Sequence, residues 1–465
     1  MPISVSVIGL GKLGASMAAA FASRGNDVIG VDINQKSVDL VNQGKAPVHE
    51  TDLDATIFAN RARVRATLSH EEAVLHSDIS FVIVPTPSDD RGAFSLQYAV
   101  WAFKEIGRAL GKKSGYHNVV LTSTVLPGST RQVLLPVLEK ESGKKAGRDF
   151  GFCYSPEFIA LGSILHNFLN PDFTLIGEFD DRSGSMLEEV YAGVVENNAP
   201  AVRMSLENAE LTKISVNSYV TTKITFANML AEICENLPGG DVDVVTKALG
   251  MDSRIGRKYL TGSIGYGGPC FPRDNVALSF IARELGVPAR LAETTDLMNR
   301  EIAEKISKRV RKVVREGATI AILGLSYKPH SHITEESQGV FIAQQLSKSG
   351  FRVVAFDPMA DKMELGNLLS QIIVFDSLKE CLKQAEAVLI TTPDPAFCSL
   401  KAEDFINEWQ KVLVVDFWRI LSSELEDKPR VDYIAIGRSS GDQVNSERLK
   451  MLWQGVQKNA FGSAK

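Results

Sequence analysis

The chain has little of what marks several large protein classes. No apolar run approaches the ~20 residues a membrane-spanning helix needs. Positive charge is not in excess: 51 Lys and Arg stand against 56 Asp and Glu, a net charge of -5. That balance argues against nucleic acid or an anionic membrane as a main partner. Cysteine is sparse: Cys153, Cys234, Cys270, Cys381 and Cys398 are odd in number and widely scattered. They form no Cys-x-x-Cys pair and no ligand spacing with the seven histidines, so neither a disulfide framework nor a metal site is expected. Low-complexity tracts are missing too. The apolar start has no basic leader and runs straight into a glycine motif, which reads as a first strand and not a signal segment. A reducing cytoplasm is the expected setting.

What is there is a long globular pattern. A length of 465 residues predicts two or three domains. Strand and helix signals alternate from Ile3–Ile8 through a helix to about Ser23, then strands at Val28–Asp32, Ile79–Val84 and Val119–Thr122. From about Ser205, which suits an N-cap, the pattern becomes long helices: Leu211, Ile214, Val220, Ile224 and Leu230 keep helical spacing until Pro238-Gly239-Gly240. The strand–helix rhythm restarts at Thr319–Leu325, with further strands at Val353–Asp357, Ala387–Thr391 and Val412–Asp416. The fold class is therefore α/β: two Rossmann-like doubly wound parallel sheets joined by a helical middle domain. The expected divisions are 1–200, 201–315 and 316–465, with a frayed tail after about Gln457.

Gly9-Leu10-Gly11-Lys12-Leu13-Gly14 follows the first strand and opens a helix. The three glycines suit a tight turn, close approach of a pyrophosphate, and close strand–helix packing. The helix N-terminus adds partial positive charge for the phosphate. Asp32, ending the second strand, can accept from both ribose hydroxyls and would repel a 2′-phosphate, so NAD is expected over NADP. An ordinary glycine-rich turn is the bland alternative. The restart at Thr319 has only Gly324 where a fingerprint needs three glycines, so the second α/β unit binds something else or merely packs.

Gly267-Gly268-Pro269-Cys270-Phe271-Pro272-Arg273-Asp274 is the most informative stretch. Pro272 suits the first helical position, which puts Cys270 just before a helix N-terminus. The helix dipole and Arg273 then favour the thiolate of a nucleophile. The alternative is a buried structural cysteine. Asp274 lies one turn on, placed to handle a proton or a water. Lys213 and Asn217 share a helix face and could hold an oxyanion or a sugar hydroxyl, although such a pair on a solvated face is ordinary.

Together these motifs resemble the UDP-glucose/GDP-mannose dehydrogenase family over nearly the full chain. The family's Gly-Gly-Ser-Cys-Phe-Pro-Lys-Asp appears as Gly267 to Asp274. Its Ser-Thr-Val is Ser123-Thr124-Val125 followed by Gly128, and its Pro-Glu-Phe is Pro156-Glu157-Phe158. Its Arg-Ile-Gly is Arg254-Ile255-Gly256, and its Lys-Pro is Lys328-Pro329. The resemblance implies a four-electron oxidation of a nucleotide-linked hexose at C6, UDP-glucose first, with NAD as cofactor. The alcohol becomes an aldehyde, Cys270 forms a thiohemiacetal and then a thioester, and water releases the uronate. It implies that Lys213 and Asn217 stabilise the oxyanion, and that Asp274, Thr124 and Glu157 organise the catalytic water. It implies that Lys36, Thr86 and Thr124 join Gly9, Gly11, Gly14 and Asp32 around NAD. Phe158, Lys213, Asn217, Arg254 (reaching a neighbouring subunit), Tyr259, Gly267 and Lys328 would contact the nucleotide-sugar. A homodimer or higher homo-oligomer built on the long central helix, and a place in polysaccharide biosynthesis, follow from the same resemblance.

Two positions depart from the family pattern. Leu161 stands where the family has a glutamate, and Glu335 where it has an arginine. A carboxylate ~4 Å from a pyrophosphate would cost roughly 4 kcal/mol at an effective dielectric near 20. Glu335 is therefore expected to turn away, pair with a cation or accept from backbone N–H groups, and Leu161 to pack on an apolar part of the site. Phe271 after the cysteine resembles the UDP-glucose enzymes more than the GDP-mannose enzymes, which often carry leucine there. GDP-mannose or UDP-N-acetylhexosamine remains an alternative substrate. A two-electron dehydrogenase of the 3-hydroxyacid kind would need no cysteine. A non-catalytic binder would not need Lys213, Asn217, Cys270 and Asp274 together.

Overall fold

Short β-branched runs ending in glycine or aspartate make strands, and alanine- and leucine-rich runs make the helices between them. The computed structural model describes residues 3–461 other than 90, 160–161, 407–410, 440 and 442. The chain divides into two compact units, Met1–Val216 with Ala277–Pro288, and Asn217–Val276 with Ala289–Lys465.

The first unit is built on a sheet of β1 (Ser4–Ile8), β2 (Asp27–Val31), β3 (Val64–Thr67), β4 (Ile79–Val82), β5 (Asn118–Leu121), β6 (Gly151–Tyr154), β7 (Thr174–Glu178) and β8 (Ala201–Ser205). Their order is β3-β2-β1-β4-β5-β6-β7-β8. Neighbours are parallel except β6 and β7. Both faces are covered, which is why the strands read as nearly continuous apolar runs. Val5, Val7, Phe81 and Val120 pack with Phe21, Phe168 and Tyr191 on one side. Ile8, Val82, Leu121 and Phe152 pack with Phe103, Ile106 and Leu138 on the other. Truncating Phe81, fully buried, to alanine would cost about 3–5 kcal/mol. Strand order reverses at β1, so the C-terminal ends of β1 and β4 flank a topological switch point.

The second unit holds β9 (Thr319–Leu323), β10 (Arg352–Phe356), β11 (Ile373–Val374), β12 (Ala387–Ile390), β13 (Val412–Asp416) and β14 (Val431–Ala435). The order β11-β10-β9-β12-β13-β14 is parallel throughout. Before it come helices Val242–Met251, Arg290–Arg300 and Ile302–Val313. The two Rossmann-like sheets and the helical middle are the architecture the sequence predicts. Helix Leu206–Asn236 begins where expected, and the Ser205 hydroxyl accepts from the Asn208 N–H at 3.3 Å. Helix Phe271–Glu284 starts one residue earlier than expected, leaving Pro272 at its second position.

Arg419 ties the helical segment of this unit to its sheet. Its side chain is 2% exposed, and Nε and Nη2 donate to Asp243 at 2.8 and 2.9 Å. The same guanidinium donates to the carbonyls of Thr261, Gly262, Phe417 and Ile436 at 3.2, 2.9, 3.0 and 2.7 Å. A buried charge of this kind persists only when its donors are this fully used.

Candidate active site

The glycine loop of the first unit assigns each glycine a task. Gly9 has φ +100, and a Cβ there would lie 2.1 Å from the Ile83 carbonyl oxygen. A Cβ on Gly14 would lie 1.9 Å from the Gly9 carbonyl oxygen, so helix Lys12–Ser23 can approach the strand only with glycine here. A Cβ on Gly11 would meet nothing within 4 Å. Gly11 is also the N-cap, and neither a side-chain cap nor a first-turn acid occupies that helix start. Open space before uncapped N–H groups suits a phosphate anion.

Asp32 sits beside this loop. One carboxylate oxygen accepts from the Leu10 N–H at 2.8 Å and the other from the Asn34 N–H at 2.8 Å. Four lone-pair sites are available to a carboxylate, so capacity remains for ribose hydroxyls. Lys36 lies exposed in the first turn of helix Gln35–Asn42, its N–H bonded to the Asn34 side chain at 3.0 Å. The Thr86 hydroxyl donates to the Thr124 carbonyl at 2.8 Å. Gly11 and Asp32 thus offer the donors and the acceptor that a dinucleotide's phosphate and ribose need.

The first unit also gathers Glu157, Phe158 and Lys213. Lys213 is 8% exposed, so the bland reading of a solvated helix face does not hold. Its Nζ donates to the Glu157 carbonyl at 2.6 Å and lies 4.7 Å from the Phe158 ring centroid. Burial pushes the Glu157 carboxyl up to about 7, against a Tyr191 hydrogen bond and the Lys213 charge.

Glu210, which the sequence reading missed, accepts from the Gly128 and Thr130 N–H groups at 2.6 and 2.8 Å. It fixes the Thr124 loop to the helix that carries Lys213. Its carboxyl is pushed up to about 7 by burial. An acid three residues before Lys213, on the same helix face, was the available signal.

The second unit gathers the cysteine segment. Cys270 and Cys398 are exposed, whereas Cys153, Cys234 and Cys381 are buried, and of the two exposed thiols only that of Cys270 stands at the start of a long helix. The Cys270 carbonyl accepts from the Asp274 N–H at 2.9 Å and opens helix Phe271–Glu284. Arg273 Nε lies 3.4 Å from the Asp274 carboxylate. Asp274 is 1% exposed and accepts from the Asn217 amide at 2.6 Å. Asn217 and Asp274 thus meet, although 57 residues separate them. The Asn275 amide donates to Thr221 Oγ1 at 2.7 Å and to the Tyr266 hydroxyl at 2.9 Å, pinning the start of the cysteine helix. Asn275 and Tyr266 had no motif to announce them.

Gly267 and Gly268 let the loop after β9 come close. A Cβ on Gly267 would lie 2.4 Å from the Glu336 carbonyl oxygen, and one on Gly268 (φ +82) 2.7 Å from the Tyr327 ring. Burial pushes the Tyr327 phenol up to about 12, with Cys270 and Tyr259 as further causes. Lys328 Nζ is 5.6 Å from the Tyr327 ring centroid. Tyr259, at φ +66, turns its ring edge to Phe271 at 6.2 Å. Arg254 is 86% exposed and salt-bridged to Asp252 at 2.6 Å. The Glu335 side chain is exposed, and its carbonyl accepts from the Gly268 N–H at 3.1 Å. Leu161 lies outside the described residues.

Three family models match in chain order. They are the UDP-glucose/GDP-mannose dehydrogenase family NAD binding domain over residues 3–195, its central domain over 207–301 and its UDP binding domain over 321–423. The UDP-glucose 6-dehydrogenase AglM of Haloferax volcanii is 34% identical over 424 residues, covering 90% of this chain and 97% of that protein. The GDP-mannose 6-dehydrogenase of Pseudomonas aeruginosa is 36% identical over 357 residues, covering 76% and 80%. The solved UDP-glucose dehydrogenase of Pyrobaculum islandicum superposes with a TM-score of 0.84 at 30% identity, over 94% of this chain and 98% of that one. With a glycine loop shaped for NAD and an exposed cysteine at a helix start, the chain belongs to the UDP-glucose/GDP-mannose dehydrogenase family and is an NAD-dependent nucleotide-sugar 6-dehydrogenase.

Proposed function

We propose that the substrate is UDP-glucose and that the chain oxidises its C6 alcohol to the carboxylate in two two-electron steps. At the same 30% identity the solved UDP-glucose dehydrogenase superposes with a TM-score of 0.84 over 94% of this chain and the solved GDP-mannose dehydrogenase with 0.52 over 92%, which supports UDP-glucose. The observation that carries the four-electron course is Cys270, exposed at the start of a helix, with Asp274 one turn on and bonded to Asn217. Bound NAD supplies hydride acceptance at each oxidation.

This chain's residues do the rest. Lys213 and Asn217 stabilise negative charge on the C6 oxygen. Cys270 Sγ adds to the C6 aldehyde as thiolate, holds the carbon through the second oxidation, and leaves as thiolate when water attacks the thioester. Asp274, Thr124 and Glu157 orient that water and take its proton. Gly9, Gly11, Gly14, Asp32, Lys36, Thr86 and Thr124 hold the dinucleotide. Phe158, Tyr259, Gly267 and Lys328 contact the nucleotide-sugar, and Glu335 stays clear of the pyrophosphate.

Arg254 serves a neighbouring subunit. Its exposure, together with the exposed Tyr219, Phe226 and Ile233 seven residues apart on helix Leu206–Asn236, supports a homo-oligomer. The functional divisions are 1–200, 201–315 and 316–465. A cytoplasmic place in polysaccharide precursor supply fits such a product.

The test is NADH production against a panel of UDP-, GDP- and TDP-hexoses. Two NADH per UDP-glucose, with uronate and no free aldehyde, is the expected result. One NADH with aldehyde released overturns the covalent course. Mixing Arg254→Ala with Cys270→Ser subunits should restore activity to some sites. No recovery after demonstrated subunit exchange overturns the shared site.

A further inference from the structure

The carboxyl of Glu157 ends a buried chain of hydroxyls. Tyr191, on helix Asp181–Val194, is 3% exposed and edges against Phe81 and Phe168, each with ring centroids 6.2 Å away. Its hydroxyl lies 3.3 Å from Glu157 Oε1 and 2.8 Å from Ser155 Oγ. Ser155, 1% exposed, is in turn 2.8 Å from the Leu175 carbonyl oxygen.

Three contacts need three protons, and each hydroxyl carries one. With Glu157 ionised, two protons serve three contacts, and one contact must set lone pair against lone pair. With Glu157 protonated every contact is filled in one direction. Glu157 O–H donates to Tyr191, Tyr191 O–H to Ser155 and Ser155 O–H to the Leu175 carbonyl. In a buried setting an unfilled polar contact is costly, so the proton count favours the neutral acid.

We propose that Ser155 competes with Glu157 for the one Tyr191 proton and so favours the neutral acid until a base is required, making Tyr191 a positioning residue for that carboxyl. The proposal rests on the water-handling role given to Glu157 above. When that proton leaves to solvent, the Tyr191 O–H turns from Ser155 to the carboxylate, and no other atom moves. The groups facing the chain are few. Lys213 comes from helix Leu206–Asn236 with its positive charge. Cys153 on β6 is neutral, its thiol pushed up to about 12 by burial. The Tyr191 phenol is pushed well up by burial and by Glu157, so it stays protonated. The carboxyl itself, pushed up to about 7, sits where a small bias decides its charge.

The experiment is the pH profile of kcat for the full chain with NAD and UDP-glucose, in the wild type, Tyr191→Phe, Ser155→Ala and Glu157→Gln. Tyr191→Phe deletes one oxygen and keeps the ring packing. It should raise the pH of the acid limb by about one unit, because an ionised acceptor loses more than a neutral donor does. Ser155→Ala should lower that pH, because the Tyr191 proton then has only Glu157 to bond. Opposite shifts with unchanged KM for NAD support the chain. No shift, or shifts of one sign, overturns it while leaving the role of Glu157 intact, provided Glu157→Gln has lost the acid limb. A wild-type profile in Glu157→Gln overturns the role of Glu157 and the chain together.

Discussion

The first strand of each sheet ends in the same backbone device, and the two copies differ in loop length and in the middle glycine. Gly9 and Gly324 have φ of +100 and +110, and their N–H groups bond the Val31 and Phe356 carbonyls at 2.7 and 3.0 Å. Asp32 and Asp357 each accept from the residue after that glycine, Leu10 at 2.8 Å and Leu325 at 2.7 Å. Each also accepts from the N–H two residues further on, Asn34 and Met359, at 2.8 Å. A Cβ on Gly14 would lie 1.9 Å from the Gly9 carbonyl oxygen, and one on Gly339 2.2 Å from that of Gly324. The fingerprint is therefore two things. Its first and third glycines serve strand–helix packing and recur in both sheets. Its middle glycine, Gly11, borders open space and has no counterpart in the second. There, the longer stretch from Leu325 to Ser337 carries Tyr327 and Lys328 to the segment before Cys270.

That division of labour can be broken by substitution. Cys270→Ser should cut steady turnover at least about a thousandfold while sparing NAD affinity measured by titration. A parallel collapse of NAD binding would erase the distinction. Gly339→Ala sets a methyl on a backbone oxygen and should destabilise the fold by about 1–3 kcal/mol, read as a lower Tm, with KM for NAD unchanged. Gly11→Ala should do the reverse, raising KM for NAD roughly tenfold, about 1.4 kcal/mol, at constant Tm. If Gly11→Ala lowered the Tm as far as Gly339→Ala, the middle glycine would be packing too. The smallest expected effect sharpens the comparison most. Asp32→Asn should shift the NAD to NADP ratio of kcat/KM by several-fold, and Asp357→Asn should leave it alone. Equal ratios in both variants would make Asp32 scaffold only.

The sequence carried the architecture because apolar strands and glycine turns are local signals. β13 appears at its expected bounds and β2, β4, β5, β10 and β12 within two residues of theirs. β6, β7 and β8 were not foreseen, since their pairing is set by distant partners and one pair is antiparallel. The motif around Cys270 was legible because glycine, proline and cysteine are informative at close spacing. The burial of Lys213 was not, because helical spacing says which face a residue is on, not what covers it. Counting glycines near Gly324 missed Gly339, fifteen residues on, since what is repeated is a place in space. Glu210 and Tyr191 act through contacts across 80 and 34 residues, which no local window spans.

Arg419 gives the second unit a shared fate. Its guanidinium holds Asp243, Thr261, Gly262 and the ends of β13 and β14 at once, so none of these can open alone without stranding a buried charge. Segments joined in this way exchange their amide hydrogens as one cooperative body, and the Thr261–Gly262 stretch leading to Cys270 should exchange as slowly as the sheet it is latched to. The exposed Cys270 thiol thus follows a segment with the persistence of a core.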